Sequence, residues 1–171
     1  MSSTSQTIRI AFYKGGRDIF VHRIIKWWTK STYSHAELVL EDGETCVCLS
    51  PSFNGKVSIK KFDHAGDWDF VDFKINAAAL RKLKEFISET EGDKYDWSGM
   101  LLSHLTPFLV RTPNKWYCSQ WIAHALFHGG IMPWRLLGLY SVPDLSPQQL
   151  FLMITNESRI NKISYGEQVE E

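Results

Sequence analysis

The residues of this sequence best suited to chemistry are a cysteine and a histidine that lie far apart in the chain, Cys118 and His35. Apolar residues after Cys118 recur at the i, i+3, i+4, i+7 spacing of an amphipathic helix, at Ile122, Ala125, Leu126 and Gly129. We therefore predict that Cys118 lies in the first turn of a helix that ends at Gly129 and Gly130. The helix dipole there lowers the pKa of a thiol and favours the thiolate, which is the nucleophilic form.

A cysteine nucleophile needs a base within hydrogen-bond distance, and His35 is the best candidate among six histidines. It begins a predicted strand directly after the polar loop 31–34, so it is expected at the rim of a sheet, where a helix N-terminus could face it. His124 and His128 follow Cys118 on its own helix and lie too far along the axis to meet the thiol. His64, in a loop with Asp63 and Asp67, has no assigned role.

The elements that must position these two residues follow from hydrophobic periodicity and turn residues. Alternation predicts five strands, at Thr7–Tyr13, Ser34–Leu40, Thr45–Leu49, Val57–Phe62 and Trp68–Ile75. The Asp42-Gly43 pair predicts a hairpin turn between the second and third strands. Helices are predicted at Asp18–Trp28, from Ala77 to about Glu91, from Cys118, and from Ser146 to about Thr155. The segment Asp96–Leu102 is either a short helix or an irregular turn, and residues 106–113 and 131–142 are expected to be irregular.

Length and composition restrict the class of protein. A chain of 171 residues without a linker or repeat predicts a single domain, 1–171, of α+β class with a mostly antiparallel meander in its first half. The zero net charge argues against nucleic acid as a partner. Neither a secretory signal nor an apolar run of about 18 residues is present, so we expect a cytoplasmic protein without a transmembrane segment. Three cysteines, an odd number, favour free thiols in a reducing compartment.

Three sequence segments resemble a known family. YSHAELVLEDG, residues 33–43, followed far downstream by WYCSQWIAHAL, residues 116–126, resembles the permuted branch of the NlpC-like papain-fold hydrolases. This branch includes the YiiX and YaeF proteins and, more distantly, the lecithin retinol acyltransferases. GDKYDWSGML, residues 92–101, resembles the family segment that carries a tyrosine upstream of the cysteine. The resemblance spans about residues 8–150 and implies a papain-like fold, circularly permuted so that the histidine strand precedes the cysteine helix.

The resemblance also implies roles for individual residues. Cys118 matches the nucleophile, His35 the general base, and Tyr95 the tyrosine whose hydroxyl lies near the developing oxyanion. The alternative for Tyr95 is a surface aromatic residue in a turn. The implied activity is a cysteine hydrolase that needs no cofactor and cleaves an amide, of peptide or peptidoglycan type, or an ester through a thioester.

The residue that would orient His35 is where this sequence departs from the family pattern. Family members carry a polar residue on the strand after the hairpin, and the matching position here is near Cys48, with Ser50 two residues on. Glu37 is a possible substitute, because a residue two positions from His35 lies on the same face of a strand. The alternative for Glu37 is a solvent-facing position.

The sequence leaves several other interpretations open. Transfer of the acyl group to a lipid or amine would make the protein an acyltransferase, favoured by an apolar groove of Trp27, Trp28 and Trp134. A weak orienting residue would favour a binding or structural member of the fold, and relatives among bacterial and tailed-phage proteins leave a virion or lysis role open. Cys46 and Cys48 with His35 could bind zinc, although core packing is the simpler explanation. The helix bearing Trp27 and Trp28 among basic residues could contact a membrane surface.

Overall fold

The computed structural model describes residues 5–15, 32–50, 54–96, 114–133, 135 and 145–166, with side chains of the last helix as far as residue 156. The strands are β1 (Gln6–Tyr13), β2 (His35–Val39), β3 (Thr45–Leu49), β4 (Val57–Lys61), β5 (Trp68–Ile75), β6 (Lys94–Tyr95) and β7 (Lys115–Trp116). The helices are α1 (Ala77–Thr90), α2 (Cys118–His128) and α3 (Pro147–Gly166). None of the helices in this described part is long and apolar enough to cross a membrane.

The class is α+β, with five antiparallel strands in the order β4-β3-β2-β1-β5. All five strands expected from the alternation are present, which confirms those predictions within one or two residues at each end. The hairpin between β2 and β3 turns at Gly43, with φ of 75°, where the Asp42 carboxylate accepts hydrogen bonds from the N–H groups of Glu44 and Thr45 at 3.0 and 2.7 Å. This turn sets the register that places Cys46 opposite Val39.

The connection between β4 and β5 departs from a simple meander. β5 does not pair with β4 but with β1, at the other edge of the sheet. The connecting residues 62–67 can span at most about 25 Å, and four strand spacings cover about 19 Å, so the connection has little slack and must run across the sheet. It passes over one face of the central strand β2, because His64 bonds to Glu37 there.

The two faces of the sheet have different contents. One face carries the main core, in which Ile8, Ile10, Phe12, Ala36 and Leu38 pack with the apolar residues of the helices. The other face carries a small cluster of Ala11, Val39 and Cys46 packed by Trp68. Because alternate residues of a strand face opposite sides, Glu37 lies on this second face with Val39.

Helix α2 is more deeply buried than its sequence pattern indicated. The pattern predicts one apolar side, yet only His128 is exposed and only His124 half-buried, and every other residue is buried. The helix therefore runs through the core, with contacts to β2, β3, α1 and α3. A helix that is apolar on all sides is typical of such a central position.

The remaining predictions have mixed outcomes. The helix from Ala77 is confirmed, and α3 begins where expected, with Ser146 and Gln149 bonding reciprocally at its N-terminus at 2.8 and 3.2 Å. The predicted end of α3 near Thr155 is wrong, because the helix continues to Gly166. No Gly or Pro interrupts it before that residue. The short parallel pair β6 and β7 was not predicted, since two residues are too few to show alternation. The predicted helix 18–28, residues 97–102 and the loop 106–113 lie outside the described residues.

A buried hydrogen bond between α1 and α2 gives a test of how the central helix is held. The Trp121 indole N–H donates to the Thr90 hydroxyl at 2.9 Å, and both residues are buried. Thr90→Val would leave that N–H unsatisfied, so we expect a loss of about 1–3 kcal/mol in the free energy of unfolding, measured by urea denaturation. Thr90→Ser keeps the hydroxyl and should lose less, and equal losses in the two variants would contradict this role.

Candidate active site

Cys118 is the first residue of α2 and is buried. The preceding Tyr117 has extended backbone angles, φ of −115° and ψ of 162°, and makes no side-chain cap bond to the helix. The sulfur instead receives hydrogen bonds from the backbone N–H groups of Ala36 and Ser119. The first turn of the helix thus directs its positive end towards the thiol, as the sequence predicted.

The His35 imidazole forms a hydrogen bond with the Cys118 thiol. His35 is the first residue of β2, so its side chain reaches the N-terminus of α2 at the end of the sheet. Burial opposes charge on both groups, but their mutual attraction and hydrogen bond outweigh it. The pKa of the Cys118 thiol is therefore lowered, and the pKa of His35 is raised well above its ordinary value. Each group thus favours the charged form of the other.

Glu37 lies on the other side of the imidazole. Its Oε1 is 3.2 Å from Nε2 of His35, and the carboxylate is buried rather than solvent-facing. Cys48 Sγ approaches the same nitrogen at 3.7 Å, while Ser50 is buried directly after β3. Of the candidate orienting residues, Glu37 has the shortest contact that the structure describes, and it carries the charge that stabilises an imidazolium.

Two further residues hold the Glu37 carboxylate, and sequence reasoning did not find either role. Lys60 donates to Oε1 at 2.8 Å, and Nε2 of His64 lies 3.0 Å from Oε2. Burial alone would raise the pKa of Glu37, but hydrogen bonds from His35 and His64, with help from Lys60, hold it far below its ordinary value. These partners are 23 and 27 residues distant in sequence, so only the pairing of β4 with β3 and the crossing connection bring them together.

Tyr95 lies on β6, whose pairing with β7 places it beside the residues that lead into α2. It is buried, not a surface residue in a turn. Burial, followed by the nearby Cys118 thiolate, raises the pKa of its hydroxyl well above the ordinary value. The hydroxyl therefore stays protonated near neutral pH and can act as a hydrogen-bond donor close to the thiol.

The second face of the sheet also gathers potential metal ligands. His35, Glu37 and Cys48 have donor atoms within 4.8 Å of one another, and so have Glu37, Cys46 and His64. All three cysteines are free and buried. Burial, with the Glu37 charge, raises the pKa of the Cys46 thiol to about 12. Cys46 is therefore a neutral thiol at physiological pH, whereas the pKa of Cys118 is shifted in the opposite direction.

The other residues considered from the sequence lie away from this cluster or cannot be placed. The ring of His124 contacts Trp116 and that of His128 stacks on Phe86, with ring centroids 5.0 and 4.7 Å apart. The two remaining histidines of the six, His22 and His104, lie outside the described residues, as do Trp27, Trp28 and Trp134. The proposed acyl groove and membrane-facing helix therefore stay predictions.

A cavity of about 610 Å³ lies on the second face of the sheet, next to the carboxylate network. His64 lines it, together with Arg9, Val39, Gly43, Glu44, Lys61, Phe62, Asp63 and Phe70. His35, Glu37 and Cys118 do not line it. Among the residues that contact the Glu37 carboxylate, His64 is thus the one that lines the cavity.

No protein-family model matches this chain, and no curated protein matches it significantly.

The contact between Cys118 and His35 predicts an unusual pH profile for alkylation of the Cys118 thiol. We expect iodoacetamide to modify Cys118 with an apparent pKa below the roughly 8.5 of an ordinary cysteine, because the imidazolium stabilises the thiolate. His35→Ala removes that charge and leaves burial to act, so the apparent pKa should rise. Peptide mapping separates Cys118 from Cys46 and Cys48, and an unchanged profile in His35→Ala would contradict the pairing.

The Glu37 network predicts a loss of stability at acid pH. Because the folded-state pKa of Glu37 is depressed, its contribution is present above about pH 4.3, the unfolded value, and is lost as the pH falls towards the folded-state pKa. Glu37→Gln should lower the free energy of unfolding at pH 7 by about 3 kcal/mol, with the difference from wild type shrinking below pH 4. Urea denaturation between pH 3 and 7 measures this, and a difference independent of pH would contradict it.

Proposed function

We propose that the protein is a cysteine hydrolase with a circularly permuted papain-like fold, acting on an amide or ester bond. The main support for the proposal is a buried series of contacts, in which Cys118 bonds to His35 and His35 bonds to Glu37. The chain order supports it as well, since the histidine strand precedes the cysteine helix as in the permuted NlpC-like hydrolases.

The proposed reaction has two halves. The Cys118 thiolate attacks the substrate carbonyl carbon, and the resulting oxyanion is stabilised by the Tyr95 hydroxyl and by backbone N–H groups at the start of α2. As the C–N or C–O bond breaks, the His35 imidazolium gives its proton to the leaving group, and a thioester on Cys118 remains. His35 then takes a proton from water, whose oxygen attacks the thioester, and the carboxylic acid and the Cys118 thiolate are released.

Glu37 would act as the positioning residue of this reaction. Its contact with Nε2 of His35 leaves Nδ1 as the nitrogen that serves Cys118 and fixes the tautomer of the neutral imidazole. The carboxylate also stabilises the imidazolium between proton transfers. A missing orienting residue would favour an inactive binding member of the fold, and the contact of Glu37 with His35 supports the hydrolase instead.

Turnover of a panel of activated esters and peptide amides tests the proposal, with the acyl-enzyme detected by mass spectrometry. Cys118→Ala and His35→Ala should lose turnover, Glu37→Gln should lower kcat by about 10²–10⁴-fold, and Tyr95→Phe by about 10²-fold. His128→Ala, an exposed histidine on the same helix, is the matched control and should retain activity. Turnover that survives in Cys118→Ala would overturn the proposal.

The same assay determines whether water or another molecule accepts the acyl group from Cys118. Product analysis with added amines or lipid alcohols distinguishes release of a free acid, expected for a hydrolase, from transfer to the acceptor. Exclusive transfer would assign the acyltransferase function instead.

A further inference from the structure

We propose that Glu37, Cys46 and His64 form a binding site for a thiophilic divalent cation, Zn²⁺, on the second face of the sheet. The three residues come from β2, β3 and the β4–β5 connection, and their donor atoms all lie within 4.8 Å of one another. A thiolate, an imidazole and a carboxylate are ligand types that zinc binds in proteins. Because the ligand is the thiolate, the Cys46 thiol releases its proton to solvent when the ion binds.

The spacing of the three donor atoms suits three positions of a tetrahedral ion and leaves the fourth to a solvent molecule. Zinc bonds of about 2.0–2.3 Å put neighbouring ligand atoms roughly 3.2–3.8 Å apart, so small side-chain movements would close the set around an ion. Oε2 of Glu37 is the oxygen turned towards His64, at 3.0 Å, while Oε1 faces His35 and Lys60. The ion can therefore take one carboxylate oxygen without breaking the contact of the other with His35.

The surroundings of the three residues affect both how an ion enters the site and how tightly it binds. His64 lines the cavity of about 610 Å³, whose rim includes the exposed residues Glu44 and Asp63, although only 5% of the His64 side chain is exposed. An ion entering from the cavity would therefore replace the contact between His64 and Oε2 of Glu37. Lys60 holds a positive charge 2.8 Å from Oε1 of Glu37 and is expected to weaken binding of a cation. Occupancy should thus respond to the metal concentration rather than be permanent.

The second trio, His35, Glu37 and Cys48, is the weaker choice. His35 already bonds to Cys118 and Glu37, so binding there would break the thiol–imidazole pair. Cys46 and His64 have no such engagement with Cys118 among the contacts that the structure describes. The proposed site is therefore separate from the nucleophile and shares only Glu37 with it.

Binding would have a consequence that rests on the proposed hydrolase function. A divalent cation on Oε2 withdraws charge from the carboxylate that stabilises the His35 imidazolium. The thiolate–imidazolium pair would be weakened, and Zn²⁺ should inhibit hydrolysis reversibly, with activity restored by a chelator.

Spectroscopic titration with Co²⁺ tests the site without requiring activity. The probe is added to the full chain carrying Cys118→Ala, which removes the other reactive thiol, under anaerobic conditions. We expect one equivalent to bind with a thiolate-to-cobalt charge-transfer band and the intense visible bands of a tetrahedral site. Cys46→Ser should abolish the charge-transfer band, His64→Gln should weaken binding, and Lys60→Met should tighten it by removing the competing charge.

Cys48→Ser is the matched control, because it changes the other cysteine of the same strand and should keep the band. Loss of the band in Cys48→Ser but not in Cys46→Ser, or absence of a charge-transfer band in the parent, would overturn the assignment. In the chain with Cys118 intact, Cys46→Ser should keep basal hydrolysis and resist Zn²⁺. Failure of hydrolysis alone leaves the cobalt result standing, so the two proposals fail separately.

Discussion

The buried charge of Glu37 is the constraint on which the rest of the site depends. An unpaired carboxylate with 2% of its surface exposed would cost several kcal/mol, so the fold must bring cations and donors to it. Three elements do so: β2 supplies His35, β4 supplies Lys60, and the connection that crosses the sheet supplies His64. Satisfying one carboxylate therefore ties together the central strand, an edge strand and a loop.

Burial also governs the electrostatics of the next contact, between His35 and the Cys118 thiol. Burial raises the free energy of both the Cys118 thiolate and the His35 imidazolium, yet it also strengthens their attraction, because little water screens it. A thiol held this way needs a rigid support. Helix α2 provides it by running through the core, where packing on nearly all sides fixes the position of its first residue.

The division of the sheet into two faces explains how a small chain combines a core with a polar cluster. One face is given to apolar packing against the helices, and the other carries the carboxylate, two thiols, a lysine and a histidine under the crossing connection. Both proposals use this second face. The proposed catalytic residues lie at the end of this face, where β2 meets α2. The proposed metal site lies in the middle of this face, where His64 lies over Glu37.

The five strands of the sheet, α1, and the starts of α2 and α3 could be predicted from the sequence, because local periodicity and turn residues determine them. The position of Cys118 in a first turn and the shared face of His35 and Glu37 are likewise local facts of helix and strand geometry. Lys60 and His64 could not be found in this way, because Lys60 depends on the pairing of β4 with β3 and His64 on the pairing of β5 with β1. Only the tertiary fold, in which the chain crosses the sheet to reach its other edge, decided that Glu37 is buried and what compensates its charge.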